Sequence, residues 1–211
     1  MPISPMFPLE QAMLPGEELP LRIFEPRYTA LVSDCLATDD PSFGVVLIEA
    51  GREVGGGDTR SDVGAMAHIT DVADFGDGRY RLKCVMAERI RVIEWHPDNP
   101  YPQAAIEVWP DEPGEPVSVD AIRDIEDRMA ALFERIARAR GADIAGRDIL
   151  AGADDAPDAA MWLYGLAARL PMGQADRYAV LAAPTVAARL AALNEALETV
   201  SAMVEFQLSG E

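Results

Sequence analysis

The sequence predicts an α+β fold: a mostly antiparallel, barrel-like sheet with one early helix, followed by a C-terminal α-helical bundle. Three observations predict it. Residues 1–110 hold short β-branched or alternating runs punctuated by Gly and Pro, without the strand-helix rhythm of a doubly wound sheet. Pro110, Pro113 and Pro116 then stand at a spacing of three with acids between them, and the composition changes there. Beyond them apolar residues recur at helical spacing almost to the end. The domains are therefore read as a β-rich unit over 1–110, a Pro/Glu-rich linker over 111–117 and a helical unit over 118–211. The helical unit is expected to pack on the first, because its apolar faces exceed what four short helices can bury among themselves.

Met6-Phe7 and Leu19–Ile23 read as short strands, joined through the Pro15-Gly16 turn, with prolines that suit edges and strand ends. After Phe24-Glu25-Pro26, apolar Tyr28, Leu31, Val32, Cys35 and Leu36 line one face of a helix whose first turn tolerates Pro26, since that N–H would be unpaired anyway. Phe43–Ile48 is a β-branched run suited to a strand buried on both faces. Gly51–Asp62, centred on Gly55-Gly56-Gly57, reads as a flexible loop. Ala67–Phe75 and Arg79–Ala87 flank Gly76-Asp77-Gly78, where Asp-Gly supplies the positive φ of a hairpin turn. Arg89–Trp95 alternates, with Ile90 and Val92 on one face and Arg89, Arg91 and Ile93 on a wet one. Ala104–Trp109 is a further strand.

In the second half Asp120 is placed to cap a helix running to about Arg140, with Ile122, Ile125, Met129, Leu132, Phe133 and Ile136 as its stripe and Gly141 at its end. A second helix spans Pro157 to about Leu170. A short one carries Tyr178 and Leu181, and Pro184 starts the last, whose Val186, Leu190, Leu193, Leu197, Val200 and Val204 form a narrow seam.

The 211 residues are 49% hydrophobic and 26% charged, which excludes a wholly disordered chain. A net charge of −18 disfavours non-specific binding to nucleic acid or anionic membranes. Cys35 and Cys84 stand in no metal or redox spacing, which suits a reducing compartment. The start lacks the basic and apolar regions of a signal peptide, and no apolar run is long enough for a membrane span. A cytoplasmic location is expected.

The sharpest chemical readings are negative. Lys83, the one lysine in the sequence, follows no glycine-rich loop, so a phosphate-binding G-x-x-x-x-G-K-[ST] motif is absent. No serine stands in its strand to form a Ser-Lys dyad. His68 and His96 fit no zinc spacing and read as a partly exposed strand residue and a loop residue. Gly55-Gly56-Gly57 leads into a strand pattern, not a helix that could hold an anion. Asp39-Asp40 and Asp154-Asp155 lie at helix boundaries, where capping accounts for them. No metal, cofactor or catalytic residue is expected. What remains is Leu21–Tyr28, which sets two arginines, a carboxylate and two aromatics around a strand-to-helix junction. Either it forms a small pocket, or Phe24 and Tyr28 are core and Glu25 and Arg27 an ion pair at the helix start.

Phe7-Pro8-Leu9, Leu14–Tyr28, Phe43–Leu47, Gly51–Gly56, Val63-Gly64, Asp77–Tyr80 and Arg89–Val92, in this order, resemble the N-terminal, substrate-binding domain of ATP-dependent Lon proteases. Leu170-Pro171 and Arg189-Leu190 extend the resemblance more loosely through the helical half. The resemblance implies a PUA-like antiparallel pseudo-barrel followed by a helical bundle. It also implies a stand-alone form of that domain, without the ATPase and protease modules and with no catalytic residue to carry over.

The function expected is that of a non-enzymatic module binding unfolded or apolar protein segments or a partner protein. Met6, Met13, Phe24, Arg27 and Tyr28 are the candidate binding residues, the methionines because flexible thioethers suit adaptable apolar surfaces. The alternative is a small-molecule or RNA binder using a PUA-like pocket near Phe24–Tyr28.

Overall fold

The computed structural model describes residues 3–50, 59–153 and 156–209. Gly55-Gly56-Gly57 and Asp154-Asp155 lie outside them. The chain divides into two compact units, residues 1–110 and 111–211.

The first unit contains β1 (Ile3–Leu9), β2 (Glu18–Ile23), α1 (Pro26–Leu36), β3 (Ser42–Ala50), β4 (Thr59–Asp74), β5 (Tyr80–His96) and β6 (Gln103–Val108). The strand order is β2-β5-β4-β3-β1-β6, and β6 pairs again with β5. Strand β5 is long enough to serve two neighbours on one side: its first part, Tyr80–Val85, pairs with β2, and its last part, Ile90–His96, with β6. The sheet therefore closes into a ring short of a true barrel, and β2 hangs on it as an edge strand. All ladders are antiparallel except β1 on β3. The runs Arg79–Ala87 and Arg89–Trp95, separate in the sequence reading, are one continuous strand with register shifts against β4 and β6.

Phe43, Val45, Ala65, Ala67, Leu82 and Cys84 point to one core with the buried face of α1, Tyr28, Leu31, Val32 and Cys35. A smaller cluster gathers Met6, Val46, Ile90, Val92 and Ala104. Gly64 is required by this packing, since a Cβ there would lie 2.0 Å from the Val45 carbonyl oxygen. The alternation of β5 holds for Ile90 and Val92 but not for Arg89, which is buried. Arg89 and Arg91 lie 4.0 and 3.9 Å from the Trp109 ring centroid, and Arg89 Nε donates to the Trp109 carbonyl. A guanidinium can leave water there because an aromatic face and carbonyl oxygens replace its hydration.

The second unit holds α2 (Val119–Ala139), α3 (Gly146–Leu150), α4 (Ala159–Arg169), α5 (Gln174–Ala182) and α6 (Val186–Ser209). Helix α2 is capped earlier than the sequence suggested: the Ser118 hydroxyl, not Asp120, accepts from the Ala121 N–H. The one-turn α3 escaped the sequence reading. It packs on α2 at Gly146, where a Cβ would meet the Ala130 carbonyl oxygen at 2.0 Å. Helix α6 packs on α2, α4 and α5 through Leu193, Ala196, Leu197 and Val200. At its first turn Arg189, fully buried, forks onto the Asp111 carboxylate and covers the Tyr164 ring at 4.1 Å. Glu112 donates its N–H to the Pro184 carbonyl. Residues 111 and 112, placed in a linker by the sequence, are thus tied into the helical unit.

Candidate functional site

The strand-to-helix junction is built on the β2 edge. Pro26 opens α1 without a side-chain cap, and the first turn is held instead by backbone N–H groups of Tyr28 and Thr29, which donate to the Glu25 carbonyl. The Phe7 and Tyr28 rings stack with centroids 4.0 Å apart, and Arg27 lies 4.5 Å from the Tyr28 centroid while its Nε reaches Glu25 at 3.2 Å. These contacts hold the end of β2 in a fixed place against α1.

The β4–β5 hairpin brings a second group to the same spot. Its turn, Gly76-Asp77-Gly78, has positive φ at all three residues, and Thr29 of α1 donates its hydroxyl to the Gly78 carbonyl at 2.6 Å. The β2–β5 register sets Ile23 opposite Tyr80 and Arg22 opposite Arg81. Phe24, just past the end of β2, and Phe75, just past the end of β4, are 65% and 58% exposed, and both line an open cavity of about 350 Å³ with Arg22, Ile23, Arg79, Tyr80 and Arg81. Arg81 lies 5.7 Å from the Phe75 centroid. A second cavity of about 210 Å³, lined by Phe7, Leu9, Pro20–Glu25 and Tyr28, shares Arg22, Ile23 and Phe24 with the first. The result is an aromatic and cationic surface beside the free edge of a sheet, suited to holding an extended chain.

The sequence-predicted residues divide sharply. Met6 and Met13 are buried in the two cores and offer no surface to a partner. Tyr28 is also buried, and Arg27 pairs with Glu25, so both hold the junction together. Phe24 stands out in solvent and not in the core. Phe75, Arg79 and Arg81 were not singled out, because only the strand register brings them beside Phe24. Phe75 next to a Gly-Asp-Gly turn was the available signal, since an aromatic at a hairpin tip has little to pack on within its own hairpin.

Elsewhere the chemistry is quiet. Among the described residues no three His, Cys, Asp or Glu side chains gather to hold a metal, and no helix is long and apolar enough to cross a membrane. His68, half-exposed on β4, lies between Asp40 and Glu88 at 3.0 and 3.4 Å. Lys83 is exposed, 4.0 Å from Asp71. Burial and the Asp34 charge push the Cys35 thiol up to about 12, and burial with Cys35 nearby does the same for Cys84. Neither thiol is poised as a nucleophile. Tyr101, its hydroxyl donating to Asp34 at 2.7 Å, is also raised to about 12, chiefly by burial.

The model of the family described as the ATP-dependent protease La (LON) substrate-binding domain matches residues 3–199. Lon protease 2 of Thermus thermophilus is 28% identical in an alignment 157 residues long that covers 69% of this chain but 18% of that protein. The crystal structure of the Lon N-terminal domain protein from Xanthomonas campestris aligns with a TM-score of 0.64 at 27% identity, covering 92% of this chain and 98% of that one. The N terminal domain of Mycobacterium avium complex Lon protease, at 16% identity, shares the fold with a TM-score of 0.59 over 93% of this chain and 98% of its own.

Proposed function

The chain belongs to the Lon substrate-binding domain family, and from that premise we propose that it binds unfolded or apolar protein segments at the surface made by Phe24 and Phe75. The matched region is the family's non-catalytic module, distinct from its ATPase and protease domains. The observation that carries the reading is the pair of large aromatics left in water on separate elements yet lining one cavity. Exposing two phenyl rings this way forgoes a burial worth about 2 kcal/mol each, which a docked apolar side chain would recover. The small-molecule alternative gains less support, because both cavities beside Phe24 stand open to solvent, whereas such ligands are usually largely enclosed.

The test is fluorescence anisotropy with a labelled, permanently unfolded protein, reduced and carboxymethylated α-lactalbumin. Phe24→Ser with Phe75→Ser is expected to weaken binding by about tenfold or more while leaving the melting temperature near that of the parent, since both side chains are exposed. Unchanged binding by a folded double variant would remove this surface from consideration.

A further inference from the structure

The same surface carries a charge pattern that narrows its ligand. Arg22 and Arg81 stand directly opposite each other on paired strands, so two like charges share one face of the sheet. Such cross-strand pairs destabilise a sheet. Both are exposed, as is Arg79, and none of the three forms a salt bridge among the described residues. Other arginines of the first unit do have partners: Arg27 with Glu25, Arg60 with Asp98 and Arg91 with Glu107. The acids nearest in the chain do not pair with them: Asp74 accepts the Gly76 N–H, and neither it nor Asp77 in the turn forms a salt bridge among the described residues. In a chain of 36 acidic and 18 basic residues, three neighbouring arginines without an ion-pair partner among the described residues are not a consequence of composition.

We propose that the segment held here is acidic as well as apolar: an extended peptide that sets an apolar or aromatic side chain in the cavity of Phe24 and Phe75 and a carboxylate against the Arg22 and Arg81 pair. This rests on the binding surface proposed above and adds the ligand class. A carboxylate there relieves the Arg22–Arg81 repulsion as it binds, and forked guanidinium contacts suit its geometry. The free edge of β2 beside the cavity gives an extended backbone a strand to lie along. Single-stranded RNA also stacks on aromatics beside arginines, but the free edge of β2 offers backbone N–H and C=O groups that pair with a peptide backbone and not with a sugar–phosphate one.

The experiment compares fluorescein-labelled peptides of about 12 residues in which Leu and Phe alternate with Asp, Asn or Lys, together with a labelled oligouridylate, by anisotropy at low and high salt. The Asp peptide is expected to bind at least about tenfold tighter than the Asn peptide and to lose that advantage in high salt. Arg81→Gln should bring the ratio of Asp-peptide to Asn-peptide affinity close to one, and Phe24→Ser with Phe75→Ser should weaken both peptides. Equal binding of the Asp and Asn peptides, still dependent on the phenylalanines, overturns the acidic preference and leaves the apolar surface standing. Peptide binding that ignores both sets of variants overturns both readings. Oligouridylate binding that depends on Phe24 and Arg81 and exceeds that of the Asp peptide overturns the proposal in favour of RNA. Melting curves of Arg81→Gln, an exposed strand position, establish that the variant is folded.

Discussion

Asp111→Ala is a severe test of how the helical unit is held together. The Arg189 guanidinium is fully buried, with Nη1 3.0 Å from one Asp111 oxygen and Nη2 bonded to the other, and its flat face covers Tyr164. Removing the carboxylate leaves a buried cation facing an aromatic ring with no other ion-pair partner among the described residues. Breaking a buried pair from one side costs about 3–5 kcal/mol. The Asp111 side chain is 25% exposed, so water can partly replace it and the lower end, about 3 kcal/mol, applies. For a chain of about 200 residues this lowers the melting temperature by about 6–12 °C, and by more if the helical unit melts on its own. Differential scanning calorimetry reads both cases. Adding Arg189→Met to Asp111→Ala removes both charges and should recover most of the loss, because replacing a buried pair by apolar groups is close to neutral. A single Asp111→Ala variant melting within about 2 °C of the parent, or a double variant as unstable as the single one, would refute the account.

Three further outcomes are expected. Arg81→Glu converts the cross-strand Arg22–Arg81 repulsion into an attraction, so it should stabilise the chain by about 0.2–1 kcal/mol in chemical denaturation while abolishing binding of the Asp peptide. In alkali, Cys35 and Cys84 keep their protons up to about 12 when folded but lose them from 9.0 when unfolded, and Tyr101 behaves likewise from 10.0. The unfolded state then binds fewer protons, so stability is full below about pH 9 and falls toward pH 12, and a flat profile across that window would contradict the burial of these groups. Limited proteolysis tests the proposal that the helical half packs on the first: cleavage should fall beyond Glu112, whose backbone is bonded to Pro184, and the two fragments should co-elute. Fragments that separate on a sizing column count against packing.

Much of the fold was legible because local signals sufficed. The apolar stripe and Pro26 mark α1, the Asp-Gly turn marks the β4–β5 hairpin, and the a/d-like seam marks α6. The misses lie where a tertiary partner overrides the local pattern. Arg89 occupies a position that alternation assigns to water, yet Trp109, twenty residues away, supplies a ring and a carbonyl that let it be buried. The five-residue α3 has too few residues to show a period, and it is fixed by the close approach of Gly146 to Ala130. Asp111 looked like linker because its partner, Arg189, is 78 residues away.

The candidate site was half legible for a related reason. Phe24 lies in a run conspicuous for its arginines and aromatics, for which the sequence offers two roles, and the structure differs along it in burial: Tyr28 is buried and Phe24 is exposed. Tyr28 and the Glu25–Arg27 pair are packed into the junction, while Phe24 and Arg22 are exposed and line both cavities beside it. Phe75, Arg79 and Arg81 could not be joined to them without the β2–β5 register, and one residue of slip would send Arg81 to the opposite face. That register is itself fixed by Leu19, Ile23, Leu82 and Cys84, all buried. The core thus determines which charges meet at the edge, and the fold tolerates an unfavourable Arg22–Arg81 pair because the buried residues beneath outweigh a cost of about 1 kcal/mol. A repulsion retained at the surface while the core beneath it is well packed is one that the proposed anionic, apolar segment would relieve on binding.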